Sequence, residues 1–267
     1  MDNELKKIIE ATRVFVLDMD GTVYIGDQLI GRMCETLSKI RRSGRKIVYC
    51  TNNSSKTARE YEEKLKRLGI WEREDLVYTS GMATVQYLQE RYAGKRVYLV
   101  GTDALKEEFR SEGIALCEEG ADVCVLAYDT SLTFEKLVKI NEYIVRKKPY
   151  IATHPDDVCP APGVFAPDVG SFIALLKRSS GREPDVICGK PYTVMGKALC
   201  ERVREDASAI TMVGDRPHTD IRFGNNNRFN TLLVLSGETD LEKAKHLTGQ
   251  DVPKAICGSL NDVVSYL

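Results

Sequence analysis

Seven short apolar runs alternate with segments of helical periodicity along the chain, and this alternation restricts the fold more than any other feature. The runs cover residues 14–17, 46–50, 96–100, 123–128, 149–152, 210–213 and 231–235. Continuous apolar runs with helices between them are typical of parallel strands that are covered on both faces. The fold class is therefore expected to be α/β.

The helical pattern can be outlined in detail between Ser54 and Gly69. Its apolar side chains fall on one stripe, which is formed by Ala58, Tyr61, Leu65 and Leu68. Ser54 or Ser55 is the expected N-cap, and Gly69 is expected to end the helix.

Polar motifs directly follow three of the predicted strands. They occupy residues 18–22, 51–55 and 214–220. In open parallel sheets the ligand crevice lies beyond the carboxyl ends of the strands. We therefore expect these three loops to converge on one site.

Residues 81–182 have their own alternation of strands and helices but contain none of the three motifs. They are expected to form an inserted domain. The core would then consist of residues 1–80 and 183–267, and the insertion would act as a hinged cap over the crevice.

Two carboxylates, Asp18 and Asp20, follow the first strand, where extended backbone directs residues two apart to the same face. Their pairing predicts a carboxylate nucleophile, Asp18, and a general acid and base, Asp20. Because neighbouring carboxylates resist joint ionisation, a hard divalent cation such as Mg²⁺ is expected beside them. A polar strand end is the alternative. An EF-hand is excluded, because Gly21 and Thr22 stand where that loop needs another oxygen ligand before its glycine.

The second and third polar segments supply groups that can bind phosphate. Thr51, Asn52 and Asn53 lie between a strand and a helix, where hydroxyl and N–H groups stabilise an anion, with helix capping as the alternative. Lys190 stands between Gly189 and Pro191 on a short loop. It is predicted to neutralise a phosphoryl group, with an ordinary surface charge as the alternative.

The motif at residues 214–220 adds two more acids after a strand. Asp215 is expected to ligate the metal, while Asp220 either ligates it or orients a neighbouring group. For Asp220 the alternative is a helix N-cap.

The composition narrows the function classes. The 267 residues carry 38 basic and 39 acidic side chains with mixed signs, which gives no footprint for nucleic acid. The apolar runs are too short to cross a bilayer, and residues 1–13 lack the apolar centre of a signal peptide, so a cytoplasmic location is expected. The eight cysteines are irregularly spaced without a CxxC pair and are expected to be reduced thiols. The partner is therefore expected to be a small molecule.

The chain resembles the haloacid-dehalogenase (HAD) superfamily in four ordered motifs. These are Asp18-x-Asp20-Gly21-Thr22, Thr51-Asn52-Asn53-Ser54, Gly189-Lys190-Pro191 and Gly214-Asp215-Arg216-x-x-Thr219-Asp220. The insertion between the second and third motifs is similar to that of the NagD and p-nitrophenyl phosphatase branch. This resemblance implies a Rossmann-like core with a parallel sheet and a smaller inserted α/β cap of the C2 type.

The same resemblance implies how the acids would act. Asp18 would be the nucleophile and a metal ligand, and Asp20 the acid and base whose backbone carbonyl also meets Mg²⁺. Asp215 would hold the same ion, with Asp220 nearby.

The remaining roles implied by the resemblance concern the substrate. Thr51 and Asn52 would bind phosphoryl oxygens, and Lys190 would balance their charge. In the cap, the expected substrate contacts are Asp129, His154 and Asp156.

Two positions depart from the family pattern. His154 stands where this branch often has asparagine. Around residues 226–229 an Ala-Gly pair would be expected, so Arg228 is predicted to occupy a helix-ending position that favours glycine.

The implied function is Mg²⁺-dependent hydrolysis of small phosphomonoesters through an aspartyl-phosphate. Sugar phosphates, glycerol phosphate, nucleotides and p-nitrophenyl phosphate-like esters are all candidates. A phosphotransferase or phosphomutase is the alternative, but those enzymes usually carry a helical cap between the first two motifs, where only residues 23–47 stand here. A non-catalytic phospho-receiver fits the motif order poorly. Because related caps often mediate dimers, a homodimer is among the expected assemblies.

Overall fold

A computed structural model describes residues 2–161 and 163–267. The helices are α1 (Asp2–Ala11), α2 (Met33–Arg42), α3 (Ala58–Arg67), α4 (Ser80–Arg91), α5 (Asp103–Ser111), α6 (Phe134–Val145), α7 (Val169–Ser180), α8 (Thr193–Val203), α9 (Arg222–Asn226) and α10 (Leu241–Lys245). The strands are β1 (Val14–Leu17), β2 (Tyr24–Ile25), β3 (Gln28–Leu29), β4 (Lys46–Thr51), β5 (Leu76–Thr79), β6 (Arg96–Val100), β7 (Ala115–Leu116), β8 (Val123–Leu126), β9 (Tyr150–Ala152), β10 (Val158–Ala161), β11 (Val164–Pro167), β12 (Val186–Ile187), β13 (Ile210–Gly214), β14 (Asn230–Val234) and β15 (Ala255–Cys257). A π-helical turn covers Pro217–Ile221, and 3₁₀ segments cover Ala207–Ala209, Gly249–Asp251 and Leu260–Tyr266.

The chain folds into two compact units. The first contains Met1–Thr51, Arg59–Tyr78 and Lys190–Leu267. The second contains Asn52–Ala58 and Thr79–Gly189. Each unit has its own sheet with parallel strand pairs.

The sheet of the first unit has the strand order β15-β14-β13-β1-β4-β5. The central strand β1 pairs in parallel with β13 on one side and β4 on the other, and Leu17 lies opposite both Val213 and Tyr49. These three strands therefore end at the same edge of the sheet. The polar motifs of residues 18–22 and 214–220 begin at that edge.

The core of the first unit is built around β1, whose four side chains have no exposed surface. Burial of one large aliphatic or aromatic side chain contributes about 1.5–3 kcal/mol, so this short strand is a strong anchor. A strand that is apolar at every position needs cover on both faces, as parallel strands receive. The prediction of an α/β fold with parallel sheets is confirmed.

The second unit contains a five-stranded sheet in the order β12-β9-β8-β6-β7, and all four neighbouring pairs are parallel. A separate antiparallel hairpin joins β10 and β11. The hydrophobic core of the unit includes Tyr98, Cys124 and Tyr150 from the sheet, with Ile140 from α6 and Leu176 from α7.

Helix α3 begins later than the sequence predicted. It starts at Ala58, so an N-cap at Ser54 or Ser55 is wrong. The physical reason is a turn: Asn53 Oδ1 accepts hydrogen bonds from the backbone N–H of Ser55 at 2.9 Å and from its hydroxyl at 2.7 Å. The predicted end is confirmed, because α3 stops at Arg67 and Gly69 has φ +71°.

The prediction for Arg228 is confirmed as well. Helix α9 ends at Asn226, and Arg228 has φ +62°, a left-handed conformation that disfavours side chains. The backbone N–H of Phe229 donates to the carbonyl of Gly224 at 2.9 Å, which closes the helix end. Because the Arg228 side chain is exposed, its backbone strain has no compensating burial.

Arg228→Gly is expected to raise the free energy of unfolding by about 0.5–1 kcal/mol. The left-handed conformation costs a non-glycine residue roughly 1–2 kcal/mol, and the extra freedom of glycine in the unfolded chain takes back about 0.5–1 kcal/mol. Urea unfolding measures the difference. Arg42→Gly serves as the control: Arg42 is the last residue of α2 and has helical backbone, so glycine there should destabilise slightly through its greater freedom in the unfolded chain. A loss of stability in Arg228→Gly would contradict the assignment of strain.

Among the described residues, no helix is both long enough and apolar enough to cross a membrane. The eight cysteines are free thiols.

Candidate active site

Three buried carboxylates come together at the carboxyl end of the first unit's sheet. Asp18 follows β1, Asp215 follows β13, and Asp220 lies in the π-helical turn. One oxygen of each carboxylate lies within 4.8 Å of the corresponding oxygens of the other two. Two motifs nearly 200 residues apart in the sequence therefore supply one acidic cluster.

Glycines provide the space for this cluster. A Cβ atom on Gly214 would clash with the side chain of Asp220, and a Cβ on Gly21 or Gly237 would clash with Asp215 Oδ2. Gly21 also has φ +84°, which favours glycine. The carboxylates can approach each other because these three positions have no side chain.

Lys190 supplies the positive charge inside the cluster. Its Nζ atom lies 2.6 Å from Asp18 Oδ1, 2.7 Å from Asp220 Oδ1 and 3.3 Å from the carbonyl oxygen of Cys50, and the side chain has no exposed surface. Burial alone would lower the pKa of Lys190, but Asp18 and Asp220 outweigh that effect and raise it. Lys190 therefore stays protonated, and the alternative of a surface lysine is wrong.

One lysine does not neutralise three acids. Burial raises the pKa of Asp18 to about 7, with Asp220 adding to the rise and Lys190 opposing it. Burial also raises the pKa of Asp215 to about 6, again with a contribution from Asp220. The cluster therefore resists full ionisation unless a further cation is bound.

The donor set fits a hard divalent cation. Asp215 Oδ1 is buried and has no hydrogen-bond partner in the described part of the chain. Asp215 Oδ2 accepts a hydrogen bond from the backbone N–H of Glu238 at 2.8 Å, which fixes the orientation of the carboxylate. Carboxylate oxygens are the ligands that Mg²⁺ and Ca²⁺ prefer. Asp18, Asp215 and Asp220 are thus suited to hold such an ion.

The raised pKa values predict that the metal-free protein loses stability as the pH rises from about 4 to 7. The folded pKa values of Asp18 and Asp215 lie above the ordinary aspartate value of 3.8. In that range the folded state binds more protons than the unfolded state, so the free energy of unfolding falls with pH. Urea unfolding in chelator at several pH values measures this slope.

Asp215→Asn provides the control for this slope. The amide does not titrate, so the variant should lose stability less steeply over the same pH range. An identical slope in both proteins, or a wild-type stability that rises with pH, would contradict the assignment to these acids.

Asp20 stands in a different environment. It is exposed, and its carboxylate is not one of the three that cluster. Asp20 forms an isolated β-bridge with Tyr24, and the N–H of Gly21 donates to the Tyr24 carbonyl at 2.8 Å. A tight loop after β1 therefore leaves Asp18 buried and Asp20 open to solvent.

The segment predicted to bind phosphate is divided between the units. Thr51 ends β4 in the first unit, while Asn52 and Asn53 belong to the second. Asn52 is buried, and its Nδ2 donates to Asp156 Oδ1 at 3.0 Å. Asn53 forms the turn described above. The expected helix N-terminus is not at Asn53, because α3 begins only at Ala58.

The predicted cap residue Asp129 is held within its own loop. Its carboxylate accepts hydrogen bonds from the N–H and hydroxyl of Ser131 at 2.9 and 2.7 Å and from Lys136 Nζ at 2.7 Å. Burial alone would raise the pKa of Asp129, but these hydrogen bonds from Lys136 and Ser131 outweigh it and lower the pKa. The arrangement stabilises the turn before α6.

His154 and Asp156 lie after β9 in the same unit. His154 is fully buried, with Nε2 3.0 Å from Asp168 Oδ1. Asp156 is partly exposed and contacts Asn52. The structure therefore joins Asp156 to one predicted phosphate ligand, and it places His154 in the interior of the unit.

Sequence reasoning missed the loop after β14. Ser236 Oγ donates to the carbonyl of Gly21 at 2.7 Å, Gly237 packs against Asp215, and Glu238 donates its N–H to the same carboxylate. A signal was present, because Ser236-Gly237-Glu238 is a polar segment that directly follows a predicted strand.

Comparison with protein families gives two matches. Residues 15–115 match a haloacid dehalogenase-like hydrolase model, and residues 187–263 match a HAD-hydrolase-like model. The chain is 31% identical to the 5'-nucleotidase YutF of Bacillus subtilis, over 95% of this chain and 98% of that protein. It is also 31% identical to the chloroplastic phosphoglycolate phosphatase 1A of Arabidopsis thaliana, over 97% and 78%.

Solved structures agree with these relatives. The 4-nitrophenylphosphatase of Thermotoga maritima superposes with a TM-score of 0.92 at 36% identity, covering 97% of this chain and 98% of that one. A glycerol phosphate phosphatase of Mycobacterium tuberculosis in complex with magnesium gives a TM-score of 0.89 at 27% identity, covering 96% and 78%.

Proposed function

The chain belongs to the haloacid dehalogenase-like hydrolases and is a phosphatase, and we propose that it hydrolyses small phosphomonoesters with Mg²⁺ through an aspartyl-phosphate at Asp18. The observation that carries this proposal is the buried cluster of Asp18, Asp215 and Asp220 around Lys190. This cluster combines a carboxylate, a permanent positive charge and a set of oxygen ligands at one edge of the sheet.

Asp18 and Asp20 divide the chemistry between them. An oxygen of the Asp18 carboxylate attacks phosphorus, the bond from phosphorus to the ester oxygen breaks, and Asp20 gives its proton to the departing oxygen. Water then attacks the phosphorus of the aspartyl-phosphate, Asp20 takes the proton, and Asp18 is released with inorganic phosphate. Asp18 is buried and in contact with Lys190, whereas Asp20 is exposed two residues further along the same loop.

Lys190 acts as a fixed charge. Because its neighbours raise its pKa, it does not lose its proton at neutral pH. It orients Asp18 through the 2.6 Å contact and offsets negative charge on the transferred phosphoryl group.

The metal ligands of the proposal are Asp18, Asp215 and Asp220, with the backbone carbonyl of Asp20. A bound divalent cation would neutralise the acids and the phosphoryl oxygens. The buried, unpartnered Asp215 Oδ1 and the complex of the Mycobacterium tuberculosis relative with magnesium support Mg²⁺.

The substrate contacts of the proposal rest on the sequence resemblance. Thr51, Asn52 and Asn53 would contact the phosphoryl group, and the insertion predicted at residues 81–182 would act as the cap that selects the ester. Of the predicted cap contacts, Asp156 has the strongest support, because it is partly exposed and holds Asn52. The contacts of Asp129 within its own loop favour a structural role instead.

Hydrolysis is preferred over group transfer because of the named relatives. The four proteins reported above are a nucleotidase and three phosphatases acting on different small esters. This favours a small phosphorylated metabolite over the phosphotransferase, mutase and phospho-receiver alternatives. A cytoplasmic location is part of the proposal and is supported by the eight free thiols. A homodimer remains a prediction.

Phosphate release tests the proposal. Chelator should reduce the rate at least about a hundredfold, Mg²⁺ should restore it, and Ca²⁺ should inhibit because of its looser coordination. A panel of nucleoside monophosphates, phosphoglycolate, sugar phosphates, glycerol phosphate and p-nitrophenyl phosphate identifies the ester class. Undiminished release in chelator would contradict the metal assignment.

A matched pair of variants sharpens this test. Asp215→Asn should raise the Mg²⁺ concentration needed for half-maximal activity by about ten- to a hundredfold. Asp75→Asn removes another buried carboxylate of the first unit, which pairs with Arg41 at 2.6 Å. This control should lower stability and leave the Mg²⁺ requirement unchanged.

A further inference from the structure

A buried chain of polar side chains crosses the second unit beside Asn52. It consists of Ser54, Thr153, His154 and Asp168, all at most 2% exposed. Ser54 Oγ lies 3.0 Å from Thr153 Oγ1, Thr153 Oγ1 lies 3.0 Å from His154 Nδ1, and His154 Nε2 lies 3.0 Å from Asp168 Oδ1. Such a network is stable in the interior when every member has a partner.

The partners determine where the protons are. Asp168 Oδ1 accepts from the N–H of Val169 at 2.7 Å and, as a carboxylate, also accepts from His154 Nε2–H. At the other end, the N–H of Tyr128 donates to Ser54 Oγ at 3.0 Å, an arrangement in which the Ser54 hydroxyl can donate onward to Thr153. Thr153 then donates to His154 Nδ1. In this arrangement His154 donates from Nε2–H to Asp168 and accepts at Nδ1 from Thr153.

Ser80 connects this chain to Asn52. Its hydroxyl donates to the backbone carbonyl of Asn52 and lies 3.4 Å from His154 Nδ1. Gly189 lies against both residues, because a Cβ there would be 2.6 Å from Asn52 Oδ1 and 3.0 Å from His154 Cβ. His154 is thus packed against the groups that hold Asn52.

Ser80, His154 and Asp168 share residue types with a nucleophilic triad, but they do not act as one. All three are buried, and the Ser80 hydroxyl already donates its hydrogen bond to the Asn52 backbone carbonyl. A hydroxyl without access to a substrate cannot be a nucleophile. The role of the group is therefore to position its neighbours.

We propose that His154 is a positioning residue that packs against Ser80, the donor to the Asn52 carbonyl, while Thr153 and Asp168 hold the two nitrogens of the imidazole. This inference rests on the proposed function, since Asn52 affects the reaction only as a ligand of the phosphoryl group. His154 then acts on the phosphoryl group that all substrates share, and it does not recognise the leaving group.

Two substitutions separate the two sides of the ring. His154→Asn places its amide near the position of Nδ1, so it keeps the side of Thr153 and Ser80 and loses Asp168. His154→Gln reaches the position of Nε2, so it keeps Asp168 and loses the other side. The glutamine variant should therefore lower kcat/KM by about ten- to a hundredfold, and the asparagine variant less.

The readout is kcat/KM for p-nitrophenyl phosphate and two chemically different small esters, corrected for the folded fraction. A uniform loss across the esters is expected. Tyr143→Phe is the control, because the hydroxyl of Tyr143 also joins polar groups in this unit but bonds to the N–H of Ala121 and the carbonyl of Glu118 instead of the chain around His154. That variant should change stability alone. Unequal losses across the esters would overturn the proposal and assign His154 to the leaving group.

Ser80→Ala removes the hydroxyl that donates to Asn52 and leaves His154 in place, so it tests the same link even if a His154 variant does not fold. It should produce the same uniform loss, and the double variant with His154→Gln should lose no more than the larger single loss. Additive losses, or an unchanged kcat/KM in either variant, would overturn the inference. Nitrogen NMR of the three histidines in the chain should show Nδ1 of His154 without a proton.

The Asn52→Ala variant and the wild-type protein separate the positioning role of His154 from the proposed function. Asn52→Ala should lower kcat/KM for every ester. If it does so while the His154→Gln and Ser80→Ala enzymes remain fully active, only the positioning role is wrong. If the wild-type protein releases no phosphate with Mg²⁺, the proposed function is wrong.

Discussion

Asp18→Asn is expected to lower kcat for phosphate release at least about a thousandfold with every ester. The amide keeps the shape of the carboxylate but cannot form an acyl phosphate, and loss of an essential nucleophile costs at least this factor. Steady-state assays with p-nitrophenyl phosphate at saturating Mg²⁺ measure the loss. Trapping of radioactive phosphate on the wild-type protein and its absence from the variant would show the covalent step directly.

The variant should keep its fold. Lys190 retains its 2.7 Å contact with Asp220, and one buried acid with a raised pKa is removed. In chelator at neutral pH its free energy of unfolding should therefore equal or exceed that of the wild type. Turnover above about one part in a thousand, in a variant free of wild-type protein, would disprove the covalent mechanism.

Much of the candidate site follows from the rule that polar residues after parallel strands share an edge. Asp18 and Asp215 could be placed together from the sequence because the runs before them predict buried parallel strands, whose carboxyl ends face one crevice. The register of Leu17 with Val213 shows why the rule works here. The same rule, applied to the predicted strand at residues 231–235, would also have found Ser236-Gly237-Glu238.

The position of Lys190 could not be derived from local sequence alone. A lone lysine between Gly189 and Pro191 has the properties of a surface charge, and its two partners lie 172 and 30 residues away. Its complete burial depends on long-range contacts with Asp18 and Asp220. Local propensity contains no information about such contacts.

The segment after β4 shows a different limit. Ser54 and Ser55 have the composition of an N-cap, but a turn at Asn53 and a buried contact between Ser54 and Thr153 compete with capping. That contact joins residues 99 apart. A tertiary partner therefore overrode a local preference, and α3 starts at Ala58.

Lys190→Met is expected to lower the free energy of unfolding of the metal-free protein by about 3–5 kcal/mol at neutral pH. Methionine keeps the length and apolar stem of the side chain but leaves Asp18 and Asp220 buried without their cation. Removing one partner of a buried ion pair costs about this much. Urea unfolding in chelator measures the loss, and phosphate release should fall with it because the charge that offsets the phosphoryl group is gone.

The pH dependence identifies the cause of this loss. Lys190 lowers the pKa of Asp18 in the wild type, so its removal should raise that pKa further. A folded pKa above the unfolded value gives stability that is present at low pH and lost as the pH rises through the folded pKa. The Lys190→Met defect should therefore be small near pH 5 and large near pH 8. Adding Asp220→Asn removes one uncompensated acid and should recover part of the stability, so the two substitutions should be strongly non-additive. A defect that is independent of pH, or additive losses in the double variant, would show that the methionine disturbs packing and that Lys190 does not neutralise the cluster.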